Sequence, residues 1–587
     1  MAKAKGSAKA TRQKKGAGKG HARPAAAAAL PWLKMYPPGV EANPVFPEKP
    51  LFALLDEAAE KFSARPCVEF RGRIFTYADI KRRSDQAAKG LVAAGFKPGM
   101  KLGLFLPNCP YYVVFYFAAL KAGGIIVNFN PLYSEDEMAR QIIDSGTDFM
   151  VTLDLAALLG KFSTLFDRTA LQRVIVCSLA DQLPTMTGLL FRAMKRREIA
   201  SLPQGEHYIS ARKLLNNDGA FTPLPVNPKT QIALLQYTGG TTGIPKGAAL
   251  THFNIYANAL QCQMWFALAA MQESKTVGVL PLFHALAMTA VMNWSLLVGG
   301  SMLLEPRFEA PRLLALIHKR KPSVLIGVPT LYTALMNQQD FASYDLSSLK
   351  FSISGGASLP LQVQEEFKRK AGVAILEGYG LSEASPACCI NPVHLPNKSG
   401  SVGLPIPGTL CRIVSLEDRK TDVKPGQWGE ICFRGPQVMQ GYWQNPAATA
   451  EILIDGWLHT GDVGYMDEDG YVFITDRLKE MIDTSGYKVY PRQVEEAIYQ
   501  HPAVKDCAVF GIADPYRGQA IRAAICLREG MTLTATDLQA FLEHKLSRIE
   551  MPRSYEFRIE LPKTAIGKIQ KKILIDEYNL KNKETHA

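Results

Sequence analysis

Between Thr238 and Lys246 the chain places three glycines, three threonines and a lysine, in the order Thr238-Gly239-Gly240-Thr241-Thr242-Gly243-Ile244-Pro245-Lys246. A segment of that composition cannot be core. Glycines let backbone N–H groups approach an anion closely. The hydroxyls of Thr238, Thr241 and Thr242 add donors, and Lys246 adds charge. The segment therefore reads as a loop that cradles nucleotide phosphates, fed directly by an apolar strand predicted over Ile232–Leu235. A Walker-type loop needs Gly-Lys followed by Ser or Thr, whose hydroxyl binds Mg²⁺. Here Pro245 precedes the lysine and Gly247 follows it, which disfavours a Walker kinase or GTPase.

Further segments carry groups able to do chemistry. Gly378-Tyr379-Gly380-Leu381-Ser382-Glu383 sets a carboxylate near a hydroxyl, and a carboxylate beside phosphate oxygens makes sense with Mg²⁺ between them. Paired glycines in Ser354-Gly355-Gly356-Ala357 permit close approach of a flat base or an acyl chain. Thr460-Gly461-Asp462 offers a carboxylate able to accept from a pair of hydroxyls, and Asp476-Arg477-Leu478-Lys479 and Pro281-Leu282-Phe283-His284 add cations and a ring. Lys568 ends the Gly-flanked run Pro562-Lys563-Thr564-Ala565-Ile566-Gly567-Lys568, from which a cation can reach a distant site. Singly, each has a plainer alternative: a solvated Glu383, a strand-end turn at 354–357, a core His284, a surface Lys568 near Lys571 and Lys572.

In that order the segments resemble the signatures of the acyl-adenylate-forming superfamily, which includes acyl- and aryl-CoA synthetases, peptide-synthetase adenylation domains and beetle luciferase. The resemblance covers about residues 45–580. It implies an α/β fold, with a large N-terminal domain of parallel and mixed sheets covered by helices and a small, mobile C-terminal α+β lid. It implies domain limits at 30–478 and 479–587; residues 1–29, rich in Lys, Ala and Gly, read from composition as a disordered basic tail. By resemblance ATP lies against Thr238, Gly239, Gly240, Thr241, Thr242, Gly243, Lys246, Gly355, Gly356, Ala357, Glu377, Gly378, Tyr379, Gly380, Ser382, Asp462 and Arg477. Tyr379 faces the adenine, Asp462 takes the ribose, Arg477 contacts ribose and phosphate, and Ser382 contacts phosphate. Glu383 ligates Mg²⁺. Lys568 is the adenylation lysine, His284 lies by the acyl carboxylate, Lys479 is the hinge, and Gly486 lets the pantetheine arm of coenzyme A pass.

Two half-reactions follow from that likeness. A carboxylate attacks the α-phosphate of ATP to give acyl-AMP and pyrophosphate. The lid then swivels, and the CoA thiol displaces AMP. No acid accompanies Phe283-His284-Ala285-Leu286, and a buried substrate ammonium needs a partner, so an amino-acid substrate is disfavoured. The overall pattern, including Trp32-Leu33-Lys34 and Thr484-Ser485-Gly486-Tyr487-Lys488, is most similar to bacterial long-chain fatty-acid–CoA ligases. Medium-chain and aryl-CoA ligases, and acyl-AMP ligases that load a carrier protein, share the catalytic motifs and stay open.

The elements that must position these groups are legible in outline. Phe75–Leu91 has helical spacing with Thr76 as N-cap. Strands are predicted over Met100–Leu106, Gly124–Phe129, Phe149–Leu153 and Val174–Cys177, and a buried helix over Tyr111–Leu120. Such alternation means a mostly parallel sheet covered on both faces. The stretch Thr276–Leu304 holds no Asp, Glu, Lys or Arg and is long enough to span a bilayer, but Pro281, His284, Asn293 and Gly299-Gly300 favour a buried core helix flanked by loops, with a helix lining an acyl tunnel as the alternative. Residues 183–215 suit a packed helix, or an amphipathic basic one with membrane affinity. In the last hundred residues a helix starts at Pro491, strands cover Ala508–Ile512 and Ala520–Leu527, and Thr534-x-x-Asp537 opens a helix through Leu546.

Composition sets the outer bounds. The 587 residues are 47% hydrophobic and 21% charged, which excludes a disordered protein, a collagen or a coiled coil. Nine of the thirteen net positive charges fall in residues 1–40, so the body is nearly neutral and nucleic acid is not an expected partner. Ten cysteines without a C-x-x-C pattern suit a reduced, cytoplasmic protein. The basic tail leaves open a peripheral contact with an anionic membrane. A homodimer is equally open.

Overall fold

The computed structural model describes residues 30–238, 245–267, 273–485, 487–564 and 567–585. Two large sheets form the body. One has fourteen strands among the described residues. Its parallel part runs Pro66–Phe70, Ser301–Leu304, Lys275–Gly278, Val324–Gly327, Phe351–Ser354 and Ile375–Gly380. From Ile375–Gly380 onward the pairing turns antiparallel, through Ala387–Ile390, Ser401–Pro405, Val472–Arg477 and Trp457–Met466 to Gly429–Arg434 and Leu410–Val414. The second sheet has eight strands among the described residues, with Ile125–Asn128 and Lys101–Leu104 at its centre and the hairpin Ile232–Thr238/Lys246–Thr251 toward one edge.

Helix Pro110–Lys121 is buried along its whole length, as a helix apolar on every side must be. Its Tyr112 hydroxyl donates to Asn128 and to the Leu282 carbonyl, tying the two large sheets together. Lys121, which closes the helix, is fully buried between Asp56 and Asp85 at 2.5 Å each. Helix Tyr77–Ala93 starts at the expected cap. Thr76 accepts from the Asp79 N–H, and Asp79 returns a bond to the Thr76 N–H.

The charge-free stretch is not one helix. It is strand Lys275–Gly278, a helical run from Ala285 to Val298 and strand Ser301–Leu304. The middle of the helical run, Met288–Asn293, has π-helical bonding. No helix among the described residues is long and apolar enough to cross a membrane. The stretch lacks charge because strand and helix alike lie in the core, where Thr289 finds its acceptor in the Ser385 carbonyl.

The small C-terminal domain has a core of its own, around Ile482, Val494, Ile498, Val509, Ile525 and Leu538. Strands Val504–Asp514 and Gly518–Leu527 form a long hairpin, joined in parallel by Ser554–Arg558 and covered by helices Pro491–Tyr499, Ala535–Leu542 and Lys571–Thr585. One expectation is corrected. The helix opened by Thr534 ends at Leu542 and not at Leu546; beyond it the Lys545 N–H closes on the Leu542 carbonyl three residues back, in a tightened turn.

Candidate active site

The segments singled out in sequence come from widely separated places in the chain. The hairpin Ile232–Thr238/Lys246–Thr251 holds the two ends of the Gly/Thr loop, with Thr238 directly opposite Lys246. Gly239, Gly240, Thr241, Thr242 and Gly243 lie outside the described residues, as does Gly486.

Lys246 sits 5.2 Å over the ring of Tyr442. The Tyr442 hydroxyl donates at 2.7 Å to Glu383 Oε1. Tyr442 is brought there by the short strand Gly441–Tyr442, which pairs with Ala248 and Ala249 at the sheet edge. Burial, and then the Glu383 charge, raise the Tyr442 pKa, so it stays a donor. Ser382 and Glu383 stand in a single turn, 382–384, just after strand Ile375–Gly380. That strand needs Gly380: a Cβ there would lie 2.0 Å from the Pro386 carbonyl oxygen.

Asp462 and Arg477 are cross-strand partners in the pair Trp457–Met466/Val472–Arg477, and Arg477 Nε lies 3.1 Å from Asp462 Oδ1. The Tyr379 hydroxyl donates to the other oxygen, Oδ2. Asp462 is 4% exposed, so this carboxylate is held by two oriented donors out of bulk water. Asp462 raises the Arg477 pKa, against the cost of burial. Burial, and then Asp462, raise the Tyr379 pKa well above its ordinary value.

Beneath this pair lies a second ion group. Arg419 makes a two-pronged contact with Glu430 at 2.8 and 3.1 Å. His459 Nδ1 is 2.9 Å from Glu430 Oε2, and the Gly461 N–H donates to Oε1 at 3.0 Å. Burial works against the Glu430 charge, but the bonds from His459 and Arg419 outweigh it and hold the pKa at about 2. Glu430, Cys432 and His459 approach one another as metal ligands would. Both Glu430 oxygens are already committed to a guanidinium, an imidazole and an N–H, so the group is an ion network that fixes the turn before Asp462.

Lys568 arrives from the small domain. Its loop closes on itself through the Thr564 hydroxyl, which accepts from the Lys568 N–H at 3.1 Å. Gly567 has φ +78°, and a Cβ there would stand 2.2 Å from Thr330 Oγ1, at the start of large-domain helix Pro329–Met336. Burial, then the nearby Arg477 cation, lower the Lys568 pKa to about 8, with Glu480 and Asp462 pulling the other way. The lysine thus lies in the field of the Asp462–Arg477 pair.

His284 caps the helical run that contains the π segment, and its ring lies 4.6 Å from that of Phe283. It keeps some accessible surface, yet the surrounding protein desolvates it and lowers its pKa to about 4, so it is neutral at pH 7. Gly355 lies nearby: a Cβ there would be 3.4 Å from Leu286 in the same run and 3.4 Å from the Gly378 carbonyl. Gly356 and Ala357 continue the turn. Glu377 faces elsewhere. Its Oε1 accepts from the Leu359 N–H at 3.1 Å, and burial raises its pKa to about 7 despite the Arg492 charge.

Lys479 is exposed in the turn Leu478–Glu480 that leaves strand Val472–Arg477. Around it lie polar contacts from residues on both sides of the turn. The Arg492 N–H donates to Asp476 Oδ2 at 2.8 Å, and Lys571 meets Glu480 at 3.0 Å and Glu495 at 2.9 Å.

Tyr442, Thr330, Glu430 and His459 were not singled out in sequence. Each meets the site only through sheet pairing or domain docking, and no local pattern marks them.

Taken together, the arrangement offers a fixed carboxylate for a diol, a desolvated lysine, a cation beside a loop suited to phosphate, and an oriented carboxylate at Glu383. Comparison with known proteins agrees with that inventory. The model for AMP-binding enzymes matches residues 55–443, and that for the AMP-binding enzyme C-terminal domain matches 493–568. The chain is 39% identical over 550 residues to a long-chain-fatty-acid–CoA ligase of Bacillus subtilis (strain 168), covering 93% of this chain and 98% of that one. It is 38% identical to the enzyme of the same name from Escherichia coli O157:H7, with the same two coverages. Among solved structures, ATP-bound MatB from Rhodopseudomonas palustris superposes with a TM-score of 0.79 at 27% identity, covering 90% of this chain and 99% of that one.

Proposed function

The chain belongs to the AMP-binding enzyme family, and from that premise we propose that it joins a long-chain fatty acid to coenzyme A. The reaction consumes ATP, passes through acyl-AMP, and releases pyrophosphate and then AMP. The observation that carries the reading is the position of Lys568, desolvated and in the field of the Asp462–Arg477 pair. The choice of acid rests on the names of the bacterial relatives.

In the adenylation step Asp462 accepts from the ribose hydroxyls while Tyr379 and Arg477 hold its carboxylate. Lys246 and the Gly/Thr loop receive the phosphates. Lys568 offsets the charge that develops between the acyl carboxylate and the α-phosphate. His284, neutral and beside the apolar helical run, orients the acyl carboxylate without adding charge. Glu383 fits Mg²⁺, because it is a hard oxygen donor oriented by Tyr442 next to the cation that faces phosphate. When bound there, Mg²⁺ would neutralise charge on the leaving pyrophosphate.

For the second step the boundary between domains falls at 478/479. Rotation about Lys479 withdraws Lys568, and coenzyme A enters past Gly486. The thiolate then displaces AMP from the mixed anhydride.

The test is AMP release from ATP with palmitate, octanoate and 4-coumarate in parallel, each with and without coenzyme A. A CoA-dependent signal strongest for palmitate supports the proposal. Preference for octanoate or coumarate moves the substrate and keeps the mechanism. AMP formation independent of coenzyme A overturns the ligase reading.

A further inference from the structure

A surface remote from this site has features the ligase reading does not use. Helix Thr185–Met194 is turned inside out. Its one buried residue is Gly188, where a Cβ would lie 2.7 Å from the Ala180 carbonyl oxygen. Met186, Leu189, Leu190 and Met194, which share a face at helical spacing, are 70%, 54%, 57% and 79% exposed. Large apolar side chains on the solvent face of a helix mark an interaction site. The helix runs directly into exposed Lys195, Arg196 and Arg197.

The same helix forms one wall of a concavity of about 890 Å³. Six basic side chains line it, Arg73, Arg82, Arg83, Arg192, Arg212 and Lys213, against a single carboxylate, Asp181. Asp181 is shared by Arg192 and Arg212. Arg73 and Arg83 flank the Phe75 ring at 4.9 and 5.0 Å, and Arg73 Nη1 donates to the Asp181 and Leu183 carbonyls. The buried Nε of Arg83 has no hydrogen-bond partner among the described residues. Cations crowded in this way call for an anion.

We propose that helix Thr185–Met194 and the adjoining arginine-lined concavity form a docking surface for an anionic phospholipid bilayer. The apolar stripe enters the boundary between headgroups and acyl chains, and the concavity takes a lipid phosphate. Charge complementarity selects this occupant. An apolar stripe flanked by a cationic hollow and three further basic residues matches a surface that is negative outside and apolar beneath. The contact is peripheral. It does not depend on the ligase reading, since no residue of the surface belongs to the candidate active site.

The experiment is co-sedimentation of the full-length chain with vesicles of phosphatidylcholine alone and of phosphatidylcholine mixed with phosphatidylglycerol, at low and high salt. The mixed vesicles should bind the protein, and salt should weaken binding. Leu189→Asp/Leu190→Asp and, separately, Arg212→Glu/Lys213→Glu should each lose at least about tenfold in binding. Their melting temperature and their ATP-dependent activity on detergent-dispersed palmitate should stay unchanged. A full-length variant with Lys3, Lys5, Lys9, Lys14, Lys15 and Lys19 changed to Gln should keep binding. Unaltered binding by both surface variants, or loss of binding in the tail variant alone, overturns the proposal. So does a wild-type chain that ignores vesicles but changes from dimer to monomer on Leu189→Asp/Leu190→Asp, which would make the stripe a self-association face. Competition by inorganic phosphate that removes all binding would assign the concavity to a free anion and also overturn the bilayer.

Discussion

Gly567 of the small domain packs against Thr330 of the large one so closely that a Cβ would stand 2.2 Å from the Thr330 hydroxyl oxygen. Lys568, the next residue, lies in the field of Asp462 and Arg477. Gly567 also has φ +78°, where an L side chain is strained. Gly567→Ala should therefore weaken this docked arrangement by roughly 1–3 kcal/mol and slow acyl-AMP formation about 10- to 100-fold. Thioester formation from supplied acyl-AMP and coenzyme A should change little, because that step needs the loop withdrawn. Equal losses in both half-reactions would mean that Gly567 serves folding and not docking.

The Lys568 pKa of about 8 gives a pH signature. Burial and Arg477 lower it, so the side chain is cationic below about pH 8 and neutral above. If the cation stabilises the adenylation transition state, kcat/KM for ATP should fall as pH rises through about 8, since that ratio reports the free enzyme. Lys568→Arg keeps its charge at every accessible pH and should lose this limb, even with a lower absolute rate. Lys568→Ala should lose about 10²–10³-fold in adenylation. A limb that persists in the arginine variant would move the titration to another group.

Much of this was readable from residue types. The Thr76 cap and the buried helix at Pro110–Lys121 both depend on local composition, and local composition is what a sequence displays. The misleading stretch was Thr276–Leu304. It lacks charge like a membrane span, yet it folds as strand, π-containing helix and strand, because every part of it passes through the interior of the large sheet and its cover. Tyr442 and Glu430 were invisible for the opposite reason. Tyr442 reaches Glu383 through pairing with Ala248, and Glu430 reaches Gly461 through pairing with the Trp457–Met466 strand. Neither relationship is local, so no window of sequence contains it.

The turn at Leu478–Glu480 makes its backbone bonds through Leu478, which donates to Gly461, and through Glu480 and Met481, which both donate to Arg477. Exposed Lys479 is thus the residue with room to change φ and ψ. Lys479→Pro would lock φ near −65° and restrict Leu478 as well. Single-turnover measurements should find acyl-AMP formation within about threefold of the parent, while thioester formation slows by at least about tenfold. An unchanged second step would place the pivot at another residue.

Glu430 should matter to both stability and ATP binding, although it touches no substrate. Its carboxylate anchors Arg419, His459 and the Gly461 N–H just before Asp462. Removing one partner of a buried ion group costs roughly 3–5 kcal/mol, so Glu430→Ala should lower the free energy of unfolding by about that amount. Glu430→Gln keeps an acceptor for Gly461 and should cost less. The pH dependence has a definite sign. Folding depresses the Glu430 pKa from 4.5 to about 2, so its stabilisation is complete above about pH 4.5 and is lost as pH falls toward 2. Urea titrations of the parent and Glu430→Gln at pH 7 and pH 4 should therefore show their difference in stability narrowing at the lower pH. The KM for ATP should rise in Glu430→Gln as the 460–462 turn loosens, with His459→Gln doing the same. A stability loss with an unchanged KM would confine this ion group to holding the sheet and leave Asp462 positioned by Tyr379 and Arg477 alone.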